Sequence, residues 1–220
     1  MPGKPRARDP EGTRRALKEA ATALFARRGF AGATADRIAR KAGVNKAMIN
    51  YHFGGKRALY AAILRESFAA LIARLRSVTD VSAPPVERLR AFIALFAETV
   101  AQTPDVPAML LREMLSGGEH RDLGREVFEF IPQLLALVRG VVEAGVREGS
   151  FREVDPLLTH LGLIGSLLFF FATGEFRERA LSEIKGAPAP PSPEQFVRHM
   201  QDLMTRGIVA EPGRGRARQR

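Results

Sequence analysis

The sequence contains no cysteine among its 220 residues. Disulfide bonds, thiolate nucleophiles and cysteine-ligated zinc sites are therefore excluded. This composition is consistent with a reducing compartment. No apolar run follows the early basic residues, so a secretory signal is not expected. We therefore predict a cytoplasmic protein.

Long apolar runs are also lacking. The most apolar stretch covers residues 157–173, and charged residues follow it at Glu175 and Arg177. A helix that crosses a bilayer needs roughly 20 apolar residues. Because this stretch is slightly too short and includes His160, we predict a buried helix and no membrane partner.

Recognisable catalytic motifs are absent as well. The sequence has no G-x-S-x-G, no phosphate-binding loop, no G-x-G-x-x-G and no H-E-x-x-H. Its four histidines, His52, His120, His160 and His199, are too scattered to indicate a metal site. No motif in the sequence therefore indicates an enzyme, and neither a metal nor a cofactor is expected.

The charge of the protein is unevenly distributed. Residues 1–57 hold fourteen Lys or Arg and four Asp or Glu, a net charge of +10. The other 163 residues hold twenty of each sign, so the whole formal net charge lies in the N-terminal quarter. A basic module joined to a neutral one is typical of a protein that binds nucleic acid through one part only.

The hydrophobic pattern is helical along the chain. No segment alternates apolar and polar residues as a strand does, and no internal repeat is found, so the predicted fold class is all-α. Pro132 is expected to kink or break its helix, because proline removes one backbone hydrogen bond. Helices are predicted at residues 13–28, 34–42, 45–52, 56–78, 86–102, 109–115, 121–148, 155–173 and 192–207.

Residues 34–56 predict two short helices joined by a turn. Thr34 is a suitable N-cap, because its hydroxyl can accept a hydrogen bond from a free backbone N–H of the next turn. Gly43 can adopt the positive φ that the turn requires. In the second helix, Ile49 and Phe53 lie one turn apart on the inner face. Two short helices around a glycine turn are the helix-turn-helix pattern.

The outward face of the second short helix combines a cation, small or flexible apolar groups and an amide. This combination suits base edges in a DNA major groove, and the candidates are Lys46, Ala47, Met48 and Asn50. The asparagine could pair with adenine or be a solvated cap, and both interpretations stay open. Donor groups around this face are expected to contact phosphates: Thr34, Ala35, Arg37, Asn45, Tyr51, His52 and Lys56.

Residues 14–64 resemble the DNA-binding domain of the TetR family of bacterial transcriptional repressors. The combined spacing of the matching residues is far more specific for this family than any one of the short matching segments. Asn50 departs from the family, which commonly has an aromatic residue there, so no base preference is carried over. The matching residues are Ala20-Ala21, Leu24-Phe25-Ala26, Gly29-Phe30, Thr34, Ile38-Ala39, Ala42-Gly43-Val44, Tyr51-His52-Phe53, Lys56 and Leu59.

The last two predicted helices carry a second prediction. Residues 155–173 are apolar nearly all round and include small residues, so this helix must be buried on more than one side. Ordinary core within the chain is one interpretation, and a dimer interface is the other. The resemblance favours the dimer, since relatives commonly pair through their last two long helices. The expected interface residues are Gly162, Gly165, Ser166, Phe169, Phe196, Met200, Leu203 and Met204.

Large, adaptable side chains in the C-terminal part allow two interpretations, plain core or a small-molecule pocket. The family resemblance implies an effector site, which is expected to be largely apolar. The candidate pocket residues are Phe92, Phe96, Met109, Met114, Phe128, His160 and Phe170.

We therefore expect a flexible basic arm (1–12), a three-helix helix-turn-helix DNA-binding domain (13–57), a larger helical effector-binding and dimerisation domain (58–209) and a disordered basic tail (210–220). The resemblance implies a homodimeric repressor, released from a palindromic operator on double-stranded DNA by a small-molecule effector. Two alternatives remain: a sequence-indifferent DNA-compacting protein, and a helical enzyme with an incidental basic head.

Overall fold

The computed structural model describes residues 9–80, 82–115 and 121–210, without the side chains of residues 113–114 and 121–128. These residues contain no strand, only an isolated antiparallel bridge between Phe151 and Val209, so the all-α prediction is confirmed. The helices are α1 (Pro10–Gly32), α2 (Ala35–Ala42), α3 (Ala47–Phe53), α4 (Lys56–Thr79), α5 (Pro85–Ala101), α6 (Asp105–Leu115), α7 (Arg121–Arg147), α8 (Pro156–Ala172), α9 (Gly174–Ser182) and α10 (Pro193–Ile208).

Helix α1 begins three residues earlier than predicted. Asp9 Oδ1 accepts a hydrogen bond from the Gly12 N–H at 2.8 Å, and Pro10 opens the first turn. A proline is tolerated at that position because its missing N–H would have had no partner there. Residues 10–12 are therefore helical, and the flexible arm expected over residues 1–12 is wrong for this part. Residues 1–8 and 211–220 lie outside the described residues.

Helix α7 runs through Pro132, so of the kink or break expected there, a break is excluded. Helix α6 begins at Asp105, four residues earlier than predicted. Helix α9 was not predicted, because its residues are largely polar and leave no buried side chain to reveal a periodic face. It follows α8 after a bend of 65°.

The first hydrophobic core joins helices α1 to α4 with part of α6. Met109 and Leu110 of α6 are buried in this core beside residues of the helix-turn-helix. The first core therefore extends beyond residues 13–57. It includes residues of α4 as far as Phe68, and α6, a helix of the C-terminal domain, covers one side of it. Its other principal members are Leu17, Phe25, Ile38, Ile49, Leu59, Tyr60 and Leu64.

The second core is formed by α4, α5, α7, α8 and α10. Two half-buried side chains, Phe130 and Leu168, pack against both cores. Phe130 stacks on Phe68 with ring centroids 5.1 Å apart. Because close-packed interiors transmit displacement, a shift at this junction would reach both cores. The main buried residues are Leu75, Leu89, Phe92, Ile93, Phe96, Val138, Val141, Leu163, Leu167 and Met200.

Within the described part of the chain, no single helix is both long and apolar enough to cross a membrane. Helices α8 and α9 meet that requirement only as a bent pair.

Candidate nucleic-acid interface

The turn between α2 and α3 has the geometry of a helix-turn-helix. Thr34 caps α2, with its Oγ1 accepting from the Arg37 N–H at 3.4 Å. Gly43 ends α2 at φ 69°, a left-handed conformation that costs glycine little. Ile38 of α2 and Ile49 of α3 are fully buried in the first core, so the relative orientation of the two helices is set by packing.

Asn45 precedes α3 rather than lying inside it. Its Oδ1 accepts a hydrogen bond from the Ala47 N–H at 2.8 Å, which occupies the side-chain oxygen locally. The helix therefore starts at Ala47, two residues later than predicted. Side chains of asparagine favour this role because they compete with the backbone for helix-end hydrogen bonds.

The base-contact candidates lie in α3 or immediately before it, and they are not equally exposed. Lys46, Ala47 and Asn50 are exposed, whereas Met48 is half-buried and packs against the first core. Met48 therefore presents only part of its side chain, because it also covers apolar residues below it. The Asn50 amide has no hydrogen-bond partner in the part of the chain that the structure describes.

Lys46 has a partner that the sequence did not suggest. Its ammonium lies 3.0 Å from Asp36 Oδ2 on α2, and both side chains are more than half exposed. An exposed pair of this kind contributes little to stability. The ion pair instead positions Lys46, because the Asp36 carboxylate holds the lysine side chain beside the exposed face of α3.

The phosphate-contact candidates flank that face. Tyr51 is 77% exposed, and its ring meets the half-buried His52 ring edge-on at 5.0 Å. Thr34 is exposed and Ala35 half-buried at the start of α2. Arg37 Nη1 donates to the Gly32 carbonyl at 3.0 Å, which ties this guanidinium to the end of α1.

Lys56 is held more firmly than the other candidates. Its ammonium donates to the Phe30 carbonyl oxygen at 2.8 Å and lies 4.0 Å from the Phe30 ring centroid. Phe30 in turn stacks on Phe25 and meets Tyr60 edge-on. Burial lowers the pKa of Lys56. The hydrogen bond to Phe30 uses one of the three N–H donors of the ammonium group.

Two family models match the chain in succession. One, described as bacterial regulatory proteins of the tetR family, matches residues 17–63, and the other, a tetracyclin repressor-like C-terminal domain, matches residues 82–169. RutR of Escherichia coli K12, an HTH-type transcriptional regulator, is 30% identical over 153 residues, which cover 69% of this chain and 70% of RutR. The chain belongs to the TetR family. It is therefore a DNA-binding transcriptional regulator.

Other TetR-family comparisons cover nearly the whole chain. The transcriptional repressor NicS of Pseudomonas putida is 29% identical over 204 residues, covering 92% of this chain and 95% of NicS. The structure of the ketosteroid transcriptional regulator KstR2 of Mycobacterium tuberculosis superposes with a TM-score of 0.72 at 23% identity. That superposition covers 90% of this chain and 95% of KstR2, and it supports the two-domain TetR-family fold.

The C-terminal domain of this TetR-family protein contains an apolar cavity of about 50 Å³. It lies between the two cores, and α4 and α6, two helices that also belong to the first core, form part of its wall. This volume is well below the roughly 300–1,000 Å³ of ligand pockets. Its lining residues are Ser67, Phe68, Leu71, Phe96, Thr99, Val100, Thr103, Val106, Pro107, Leu110, Leu134, Ile164 and Leu168.

Of the predicted effector residues, only Phe96 lines this cavity among those that the structure describes. Phe92 is buried in the second core and Met109 in the first, and neither of them lines this cavity. Phe170 stacks instead on Phe196, with ring centroids 3.9 Å apart. Met114 and Phe128 lie outside the described side chains.

His160 is also away from the cavity lining. It is 6% exposed, and its Nδ1 has no hydrogen-bond partner in the described structure. Burial lowers the pKa of His160. The described residues contain no group of three or more acidic or histidine side chains that could hold a metal ion.

Helix α8 has two different faces. One is buried in the second core through Leu163, Ile164 and Leu167. The other carries exposed apolar side chains, with Leu158 at 67% and Phe169 at 64% exposure. The exposed positions also include Leu161, Gly162 and Gly165, and their spacing keeps them on one side of the helix.

The predicted interface residues of α10 divide in the same way. Leu203 is exposed, Phe196 and Met204 are half-buried against the second core, and Met200 is only 4% exposed. Met200 is therefore covered by its own chain, and its prediction as an interface residue is wrong. Ser166 of α8 is half-buried, and its hydroxyl donates to the Gly162 carbonyl at 2.6 Å.

Apart from Phe96, the sequence did not reveal the residues that line the cavity, and it did not reveal Asp36. The cavity is lined by residues more than ninety positions apart, from Ser67 to Leu168, and no local pattern connects them. Asp36 has a weak signal, because it is one of only four acidic residues in the basic N-terminal quarter.

Proposed function

We propose that the protein is a homodimeric repressor that binds a palindromic operator and leaves it when a small, largely apolar effector binds. The observation that carries this proposal is the exposed face of α3. This helix belongs to the N-terminal head, residues 1–57, which bears the whole net charge of the protein. A cationic head attracts any duplex, whereas a projecting short helix with mixed polar groups adds base selectivity.

In this proposal Lys46, Ala47 and Asn50 contact base edges, and Met48 contributes its exposed part. Lys46 leaves Asp36 to donate to a base, because a guanine offers two acceptors in the major groove. The unpartnered Asn50 amide fits the bidentate contact with adenine better than a capping role does.

The flanking groups would fix the position of the head on the DNA backbone. Tyr51 and Thr34 are exposed beside α3 and at the N-terminus of α2, and the half-buried Ala35 follows Thr34. Asn45 keeps its amide N–H donors, since only its oxygen is used in capping. Arg37, His52 and Lys56 complete the set, and such contacts set orientation without selecting a sequence.

A dimer is supported by the exposed apolar side of α8 together with Leu203 of α10. Contiguous apolar surface on a monomer marks an interaction site, and a twofold interface uses the same patch on both subunits. Two heads would then contact half-sites about 34 Å apart, one helical turn of DNA.

Effector control is supported by the position of the small cavity. Its walls include Phe68 of α4 and Leu110 of α6, and both residues also belong to the core of the DNA-binding head. A ligand larger than the present cavity would press on these two helices. A displacement of either helix would change the spacing of the two heads, provided that the ligand binds the displaced state more tightly.

The proposal can be tested by selection of bound duplexes from a random pool, followed by sedimentation of the protein alone and with the selected duplex. We expect a palindrome, a dimer, and a specific affinity at least about a thousandfold above that for random duplex. A protein that compacts DNA without sequence preference would select no consensus. Failure to bind any duplex at low salt would favour the enzyme alternative.

A further inference from the structure

A second, more polar cleft lies beside the apolar cavity. It has a volume of about 360 Å³ and lies between α1, α4 and the connection from α5 to α6. Ser67, Thr103 and Val106 line both spaces, so the cleft is adjacent to the cavity. A molecule that occupied both would touch the DNA-binding head and the C-terminal domain at once.

The charges around the cleft are mostly negative. Its lining includes three carboxylates, Glu19, Glu66 and Asp105, and a single cation, Lys18. Glu19 is exposed and Asp105 is half-buried, and neither forms an ion pair in the described structure. The lining thus carries a formal charge of −2, or −1 when Arg14, which pairs with Glu66 from outside the lining, is included. The protein as a whole has a net charge of +10.

Glu66 has a structural role at this cleft. On α4, its carboxylate accepts hydrogen bonds from Lys18 and, at 2.9 Å, from Arg14, and both of these cations belong to α1. Burial opposes ionisation of this carboxyl, but the hydrogen bonds and charges of Lys18 and Arg14 outweigh it and lower the pKa of Glu66. The ion pair therefore connects the first helix of the head to the helix that leads into the effector domain.

We propose that the effector is an amphipathic amine, whose apolar end enters the cavity between the two cores while its ammonium group lies in the cleft among Glu19, Glu66 and Asp105. This inference rests on the proposed function, since it names the chemical class of the effector. The apolar cavity alone would accept any hydrocarbon, and the uneven charge of the cleft selects among headgroups.

The same site explains how such a ligand would act on the head. An ammonium group in the cleft competes with Lys18 for the Glu66 carboxylate, because both are hydrogen-bond donors with a positive charge. Weakening of that pair loosens α1 from α4, while the apolar end presses on Phe68 and Leu110. The ligand thereby prefers a state in which the head has moved.

The experiment compares four probes by titration calorimetry with the full chain free of DNA: n-octylammonium, n-octanol, n-octanoate and n-butylammonium. The first three share an apolar chain and differ in charge, and the fourth keeps the charge with a short chain. We expect n-octylammonium to bind about tenfold or more tightly than each of the others, the size of one charge-assisted contact.

Two variants and a control make the assignment specific. Glu19→Gln with Asp105→Asn removes the unpaired carboxylates and is expected to abolish the preference for n-octylammonium over n-octanol. Glu153→Gln, an exposed carboxylate on the connection between α7 and α8, removes one charge elsewhere and should leave the preference unchanged. Far-UV circular dichroism checks that each variant is folded.

Release from the selected palindrome is measured separately, by fluorescence anisotropy of labelled duplex with the same probes. If no palindrome is selected, the proposed function fails whatever the calorimetry shows. If a palindrome is selected, the inference is overturned by equal binding of the three eight-carbon probes, by preferred binding of n-octanoate, or by no binding of n-octylammonium.

Discussion

The ammonium of Lys56 lies over the ring of Phe30, 4.0 Å from its centroid, and donates to the Phe30 carbonyl oxygen at 2.8 Å. Phe30 follows Gly29, whose φ of 67° kinks α1, and Lys56 is the first residue of α4. This contact therefore joins the end of the first helix to the start of the helix that leaves the head.

Lys56→Met should change both stability and DNA binding. Loss of the hydrogen bond and the cation–π contact is expected to lower the free energy of unfolding by about 1 kcal/mol. If Lys56 also contacts a phosphate, the slope of log K against log salt should fall by about 0.9. Chemical denaturation and a salt series of operator binding measure the two effects. An unchanged slope would leave Lys56 a positioning role only.

Asp36→Asn should strengthen DNA binding. The change frees Lys46 and removes a negative charge from the face that meets DNA. We expect an affinity gain of about threefold to tenfold, as for one close charge contact near a surface. Glu129→Gln, an exposed carboxylate on α7, is the control and should gain less. Equal gains would mean that net charge alone is responsible.

Gly165→Leu should dissociate the dimer without unfolding the chain. Apart from the backbone of its own helix, a Cβ at Gly165 meets no atom within 4 Å, so the site has room for a larger side chain in the single chain. Gly140→Leu on α7 is a matched control, because that helical glycine also faces open space. Analytical ultracentrifugation should show monomers for Gly165→Leu and dimers for the control. A full dimer in both variants would remove the α8 face from the interface.

His160→Gln should reduce the sensitivity of the fold to mild acid. Because burial lowers the pKa of His160 in the folded state, the unfolded chain takes up a proton first, near pH 6.5. The free energy of unfolding is therefore not reduced by His160 above that pH. Below it, the free energy of unfolding falls by at most about 1.4 kcal/mol per pH unit. Urea denaturation at pH 7 and pH 5 should show a smaller difference for the variant, and equal differences would contradict the assignment.

Tyr51→Phe should weaken binding to all sequences to a similar degree. The hydroxyl lies on a side chain that is 77% exposed, and a phosphate contact carries no base information. Repeating the duplex selection with the variant should return the same consensus at about threefold to tenfold lower affinity. A changed consensus would make Tyr51 a base-contacting residue.

The helix-turn-helix was predictable because its signals are local. A capping threonine, a glycine at positive φ and apolar residues one turn apart act within a few positions of each other, and the structure has Thr34, Gly43 and Ile49 in these roles. The overlooked start of α1 at Asp9 and Pro10 depends on the same kind of signal.

The roles of Met200, Met48 and the effector candidates could not be assigned from local signals. An apolar residue on a helix must be covered, but the hydrophobic effect has no direction and does not say which element covers it. Met200 is buried in the second core of its own chain. Phe169 is left exposed, although it lies on a helix that is apolar on nearly all sides.

The amino-acid sequence alone determined the helical class, the basic head and the family, because periodicity, capping and charge are properties of neighbouring residues. The tertiary structure decided which faces remain open, that α6 completes the core of the head, and that Glu19, Glu66 and Asp105 line one cleft. These outcomes depend on contacts between residues that are far apart in sequence, and packing selects among them only when the whole chain has folded.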